Sequence, residues 1–400
     1  LNAWLRLQEI VMRMSANGVV APAIQLPWKQ FFAGGTIACA ACVPSVSAQE
    51  LKDFPACRTS KNQHRLELEQ KYEFNGIRVF YTQTGPHALY TVADLNRNGV
   101  PDMVEDAALH LDTVRQIFNR NGFRDPLDSP RFRHAESIDI DFLNFDVYSP
   151  EITDKRGLSF SGVIRYPGSR IRADKCAISM AINSSLKGNH ERVKDYLIPH
   201  ELFHLYQYGY TMFRASWFLE GMAKWAEWVT LAENDRNPTL WSTPLPASAQ
   251  ELNERVFLNP NPYDVRHFWN RLAELAKKKE FPMIVPPELR NRRFADGTPV
   301  IRDNIWRGRA LMLKILEGLD AEDDAAAQEN KIQPYAWANE EQRNTAHNPR
   351  LMKVVQRALA SYGIAGAEVR QFLAIDPVPS TPREGENRLI PSIPGRGHER

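Results

Sequence analysis

Residues 199–210 read Pro-His-Glu-Leu-Phe-His-Leu-Tyr-Gln-Tyr-Gly-Tyr, and residues 216–228 read Ser-Trp-Phe-Leu-Glu-Gly-Met-Ala-Lys-Trp-Ala-Glu-Trp. Both are predicted as helices. In the first, His200 and His204 stand four residues apart, which puts both imidazoles on one helical face where they can share one Zn²⁺. Glu201 lies about 100° round the helix, within reach of a metal-bound water but poorly placed to bind the metal itself. Ser216 is the predicted N-cap of the second helix. Glu220, read as lying in its first turn, folds back to complete a His₂Glu set with the fourth position left to water. Glu227, two turns further along the same face, is a candidate partner for the outer nitrogen of a ligating imidazole.

The flanks give the fold class. Before residue 190 the chain reads as strand-rich: short runs within 65–92 broken by Gly and Pro, an alternating strand at Ser137–Tyr148, and another at Cys176–Asn183. Val104–Asn119 carries apolar residues at helical spacing. Beyond residue 190, helices are predicted at 191–209, 217–232, 263–278, 303–319 and 350–374. Sheet first and helices second is an α+β pattern. The organisation predicted is a β-rich region over 49–190, the metal-site helices over 191–235, a helical lobe over 236–376 and a disordered tail over 377–400.

Ahead of this, Lys29, the apolar run Phe31–Val43 and Val46-x-Ala48 have the layout of an export signal cleaved after Ala48. Residues before Met12 or Met14 need not belong to the natural product. Cleavage leaves basic and acidic residues in equal number, so charge gives no support to nucleic-acid binding. No apolar run is long enough to span a membrane. Cys57 and Cys176 remain as one pair, read as a disulfide in an oxidising compartment; two separate buried thiols is the alternative. Asp94-Leu-Asn96-Arg-Asn98-Gly99-Val100-Pro-Asp102-Met-Val-Glu105 matches a calcium loop. Asp94, Asn96, Asn98, Asp102 and Glu105 supply side-chain oxygens, the Val100 carbonyl a sixth, and Gly99 the sharp turn. The competing reading is a polar turn that caps the following helix.

His200–Tyr210 with Trp217–Glu227 resembles the gluzincin group of zinc metallopeptidases, and more closely a group of secreted bacterial metalloproteases that carry HEFFHxxQxGY and WxxEGxAxWxE helices. The resemblance covers about thirty contiguous residues and the calcium loop. It implies a thermolysin-like arrangement, with a mixed sheet and active-site helices followed by an α-helical lobe. It also implies His200, His204 and Glu220 as zinc ligands, Glu201 as the general base, and a peptide or protein as substrate. Pro199, directly before the first ligand, marks either a helix start or a kink. The motif of amino-terminal trimming enzymes is absent. Tyr263 or His267, read as lying on the next helix, is the candidate donor to the oxyanion, and the strand at 176–183 the candidate edge for docking substrate backbone. Rival readings are a calcium-dependent surface- or matrix-binding protein that keeps the metal helix without turnover, and a zinc hydrolase acting on other bonds.

Overall fold

The computed structural model describes residues 57–231 and 237–378. The expected signal peptide lies outside this range, as does the expected tail apart from Pro377 and Val378. Six strands form one sheet: β1 (Arg58–Thr59), β2 (Gln70–Phe74), β3 (Ile77–Tyr81), β4 (Ser137–Leu143), β5 (Gly157–Arg165) and β6 (Ala177–Asn183), in the spatial order β1-β5-β6-β4-β3-β2. β3, β4 and β6 run parallel to one another; β2 is antiparallel to β3, and β5 is antiparallel to β6 but parallel to β1. The longer helices are α1 (Asp102–Arg120), α2 (Ile198–Tyr210), α3 (Ser216–Ala226), α4 (Arg266–Ala276), α5 (Arg309–Glu329), α6 (Asn348–Ala360) and α7 (Ala367–Leu373). A mixed sheet with helices is the α+β class that the sequence predicts.

Several boundaries differ from those expected. Residues 88–92 join no ladder, and only the Tyr90 N–H reaches across, to the Ser184 carbonyl at 2.8 Å. The strand read at 137–148 stops at Leu143, because Asn144 accepts from Asp146 N and caps a helical turn at Phe145–Tyr148. The helix read at 303–319 starts only after Gly308 and runs to Glu329, and the one read at 350–374 divides into α6 and α7. β5 was not foreseen, since Gly157, Ser159, Ser161 and Gly162 dilute its apolar alternation. β6, expected as a free docking edge, is paired on both sides, with β4 and with β5. Among the described residues β2 ends the sheet on one side, and on the other β5 is left largely open, meeting β1 only at Ile164 and Arg165.

Alternation in β4 predicts one wet face, yet all seven residues are buried. Its polar side is covered by arginines. Arg78 on β3 grips Asp139 through two hydrogen bonds of 2.8 Å, and Asp141 accepts from Arg65 and from Arg172, each at 2.6 Å. Arg172 also lies over the Phe80 ring at 3.8 Å. Buried charges of this kind persist only when each is matched and hydrogen-bonded. The Cys57–Cys176 disulfide ties β1's start to the entry of β6. Sheet and C-terminal helices contribute to one apolar core that reaches from Ile77 to Ile375. α2 sits inside it, with every one of its 13 residues buried.

Removing the Asp141 carboxylate strands two buried guanidinium groups. Asp141→Ala should therefore cost about 3–5 kcal/mol, read as a lower denaturant midpoint; a midpoint within error of the parent would show that the cluster is not balanced in this way.

Candidate metal centre

α2 is reached through a short helix at Asn189–Arg192 and a π-helical turn at Val193–Leu197. The π-helical turn joins α2 at Ile198, so Pro199 stands in the first turn of α2, where proline is tolerated. Lacking an N–H, it leaves the Asp195 carbonyl four residues back without a helical donor, and the Thr230 hydroxyl supplies one at 3.0 Å. α3 begins at Ser216, with Ala215 as its cap and no side-chain capping bond, so the predicted N-cap role of Ser216 does not hold. Glu220 consequently lies in the second turn, not the first.

These two helices bring three donor atoms together. His200 Nε2 lies 3.2 Å from His204 Nε2 and 3.2 Å from Glu220 Oε2, and His204 Nε2 lies 3.6 Å from the same oxygen. Tetrahedral zinc with bonds of about 2.0–2.2 Å requires ligand atoms about 3.3–3.6 Å apart, so the three residues fit that ion. The outer nitrogens reinforce the fit. His200 Nδ1 is 3.0 Å from Glu227 Oε1, and His204 Nδ1 is 2.8 Å from Gln207 Oε1. Both partners are acceptors, so the Nδ1 of each ring donates outward and its Nε2 faces the shared point, where a lone pair is offered once the second proton is displaced.

The charges respond to this crowding. Burial opposes a proton on His200, but Glu220 and Glu227 outweigh it and push the imidazole's pKa up to about 9. Burial would likewise raise Glu220, yet His204 and His200 hold it well below the usual carboxylate range. Glu227 is itself balanced by Lys224, 2.8 Å away. Gln207 Nε2 donates to the Phe218 and Leu219 carbonyls, each at 3.2 Å, and so locks α3 to α2.

Glu201 points toward β5. The Ser159 hydroxyl lies 2.9 Å from its Oε2 and 2.7 Å from its carbonyl oxygen. A Cβ at position 157 would come within 2.6 Å of Glu201 Oε1, so any larger residue there would displace the Glu201 side chain. Tyr263 belongs to a 3₁₀ turn at Pro262–Val265, ahead of α4, and its ring centroid is 6.1 Å from that of His200. Its hydroxyl accepts from Lys155 Nζ at 3.3 Å. Burial, then Glu220 and Glu201, raise its pKa, so it stays a proton donor. His267 is placed differently: it faces Thr243, with 3.5 Å between Nδ1 and Oγ1, and makes no recorded contact with the three donors. This position, the second residue of α4 and beside Thr243, does not support its candidacy as the oxyanion donor.

Gln207, Ser159, Gly157 and Lys224 were not anticipated. Gln207 carried a signal, standing three residues from His204 on one helix face, and Lys224 stands likewise three before Glu227. Ser159 and Gly157 carried none, because their position depends on β5 packing against α2.

The loop at Asp94–Glu105 closes on itself. Asp94 accepts from the Asn98 and Gly99 N–H groups at 3.2 and 2.8 Å, while Glu105 accepts from the side-chain amides of Asn96 and Asn98 at 2.9 and 2.7 Å. Gly99, at φ +87°, makes the turn. Val100 donates its N–H to Asn98 Oδ1 at 2.8 Å. The Asn96 side-chain oxygen in turn accepts the Asn98 N–H at 3.0 Å, so the loop's polar side chains fold onto its own backbone. Asp102 departs from the predicted set: it is buried as the first residue of α1, and its Oδ1 accepts from Leu95 N at 3.0 Å.

A second trio, His64, Glu67 and His87, also gathers. His87 Nδ1 accepts the Asn144 N–H at 3.0 Å, which puts the ring proton on Nε2 and makes that atom a donor to His64, not a metal ligand. Compared with protein families, with curated protein sequences and with solved structures, the chain matches none.

Glu227 orients His200 and raises its basicity. Glu227→Gln should weaken zinc binding by about 10–100-fold, measured by competition with a chromogenic chelator; an unchanged affinity would remove Glu227 from the site.

Proposed function

We propose that the protein is an exported, zinc-dependent metallopeptidase with a thermolysin-like arrangement of its site, its front part stapled by calcium at Asp94–Glu105. One observation carries the reading: two imidazole Nε2 atoms and a carboxylate oxygen converge at tetrahedral spacing, beside Glu201, whose carboxylate meets the Ser159 hydroxyl and no arginine or lysine among the described residues. His200, His204 and Glu220 would hold the zinc, with Glu227 and Gln207 orienting the imidazoles. Zinc held there would polarise a peptide carbonyl and acidify a water near neutral pH. Glu201, steadied by Ser159, takes the proton of the attacking water and passes it to the leaving amine. Tyr263 donates its hydroxyl proton to the oxygen on which negative charge develops, and Lys155 fixes that hydroxyl's position. The open side of β5 begins at Gly157, against Glu201, so an extended peptide can add there as a further strand. The disulfide agrees with an oxidising compartment. Among the described residues no helix is long and apolar enough to cross a membrane.

Glu201→Gln separates proton transfer from metal binding. Hydrolysis of a quenched peptide library should fall at least about a hundredfold while zinc content stays at that of the parent. Cleavage at the parental rate would mean that Glu201 is not the base.

A further inference from the structure

α2 ends at Tyr210, and the connection to α3 carries Arg214, 6% exposed. Its Nη1 donates to two backbone carbonyls, of Thr211 and Phe213. Backbone carbonyls satisfy hydrogen-bond donors but do not neutralise a charge. Every other buried arginine of the sheet and of the α1–α2 connection has a carboxylate: Arg65 and Arg172 share Asp141, Arg78 takes Asp139, Arg131 takes Asp323. Arg214 has none within ion-pairing distance among the described residues. Burial accordingly lowers its pKa to about 10. A buried guanidinium without a counter-charge costs free energy that the rest of this fold is built to avoid.

Its neighbours give the reason a place. The Arg214 guanidinium carbon lies 4.2 Å above the Tyr208 ring, and that ring is stacked on His204, with centroids 5.9 Å apart and planes 12° from parallel. Tyr208 thus connects Arg214 to a proposed zinc ligand. Arg343, which has no ion pair among the described residues, directly follows Gln342, whose carbonyl accepts the Arg214 N–H at 2.7 Å. Two uncompensated cations therefore lie on the His204 flank of the centre, while Tyr263 and Lys155 lie on the His200 flank.

Resting on the peptidase reading, we propose that Arg214, with Arg343, recognises a carboxylate of the substrate next to the scissile bond. Guanidinium groups bind carboxylates through paired, charge-assisted hydrogen bonds, and the nitrogens of Arg214 not engaged by the backbone are free to make them. The carboxylate has two sources: the carboxyl terminus of a peptide cut one or two residues from its end, or an Asp or Glu side chain within a longer chain. Both present the same planar anion.

The test uses the zinc-loaded chain and matched quenched peptides that differ only in Glu against Gln flanking the cut, or in a free against an amidated carboxyl terminus. The parent should prefer one carboxylate-bearing member by about tenfold or more in kcat/KM, and which pair shows it identifies the source. In Arg214→Gln the ratio should fall toward one with zinc content retained, and Arg214→Lys should keep part of it. Because a buried arginine can be needed for folding, Arg343→Gln serves as the second variant and should lower the same ratio. Equal rates within both pairs in the parent, or a preference that survives in the folded variants, overturns the assignment while leaving a peptidase. If no peptide is cut, the peptidase reading falls by itself. The carboxylate site is then decided by calorimetry with a hydroxamate bearing a carboxylate and its carboxamide analogue: tighter binding of the first in the parent but not in the variants supports it, and equal or absent binding overturns it.

Discussion

Two imidazole lone pairs facing each other across 3.2 Å, with a carboxylate oxygen the same distance away, repel one another unless a cation or a proton lies between them. Much of the surrounding structure serves to hold that arrangement. The protons of both rings are drawn outward by Glu227 and Gln207, so the lone pairs have no other direction. α2 is enclosed on all sides, α3 is tied to it by Gln207, and β5 places Ser159 against Glu201. Each contact is one that a proposed catalytic zinc requires.

The sheet supplies rigidity by an unusual route. β4 is buried on both faces, and its acidic side is matched by arginines from three separate chain segments. The matching is strict enough that Arg214, the one buried arginine among the described residues left without a carboxylate and set against the Tyr208 ring that stacks on His204, stands out as an exception. In a fold that otherwise balances its buried charges, such an exception belongs with a ligand that supplies the missing one.

What the sequence made legible follows from range. His200, Glu201 and His204 lie within one helical turn or so, and Glu220 and Glu227 on the next helix, so helical periodicity alone predicts which side chains can meet. The structure brings four of these five together with the spacing that periodicity implies. The disulfide rested on a simpler count, since only two cysteines remain after residue 48. β5 was not legible: its serines and glycines hide a strand whose burial comes from α2 and β6. For the same reason the open edge was assigned to β6, which in fact lies inside the sheet. Tyr263 and His267 could not be told apart by spacing, because a change from 3₁₀ to α winding falls between them; the structure puts Tyr263 beside His200 and His267 beside Thr243. The polar side of β4 was misread because alternation reports polarity, and polarity does not reveal a buried arginine that arrives from a distant segment.

The central claim is that these donors hold one zinc ion. X-ray absorption at the zinc edge of the purified, dialysed chain, beside Glu220→Ala, tests it most directly. The account predicts about one zinc per chain, with two imidazoles and oxygen ligands at about 2.0–2.2 Å, and loss of most of that zinc in the variant. Absence of zinc from the parent, or zinc held by sulfur or kept undiminished after loss of Glu220, would contradict it.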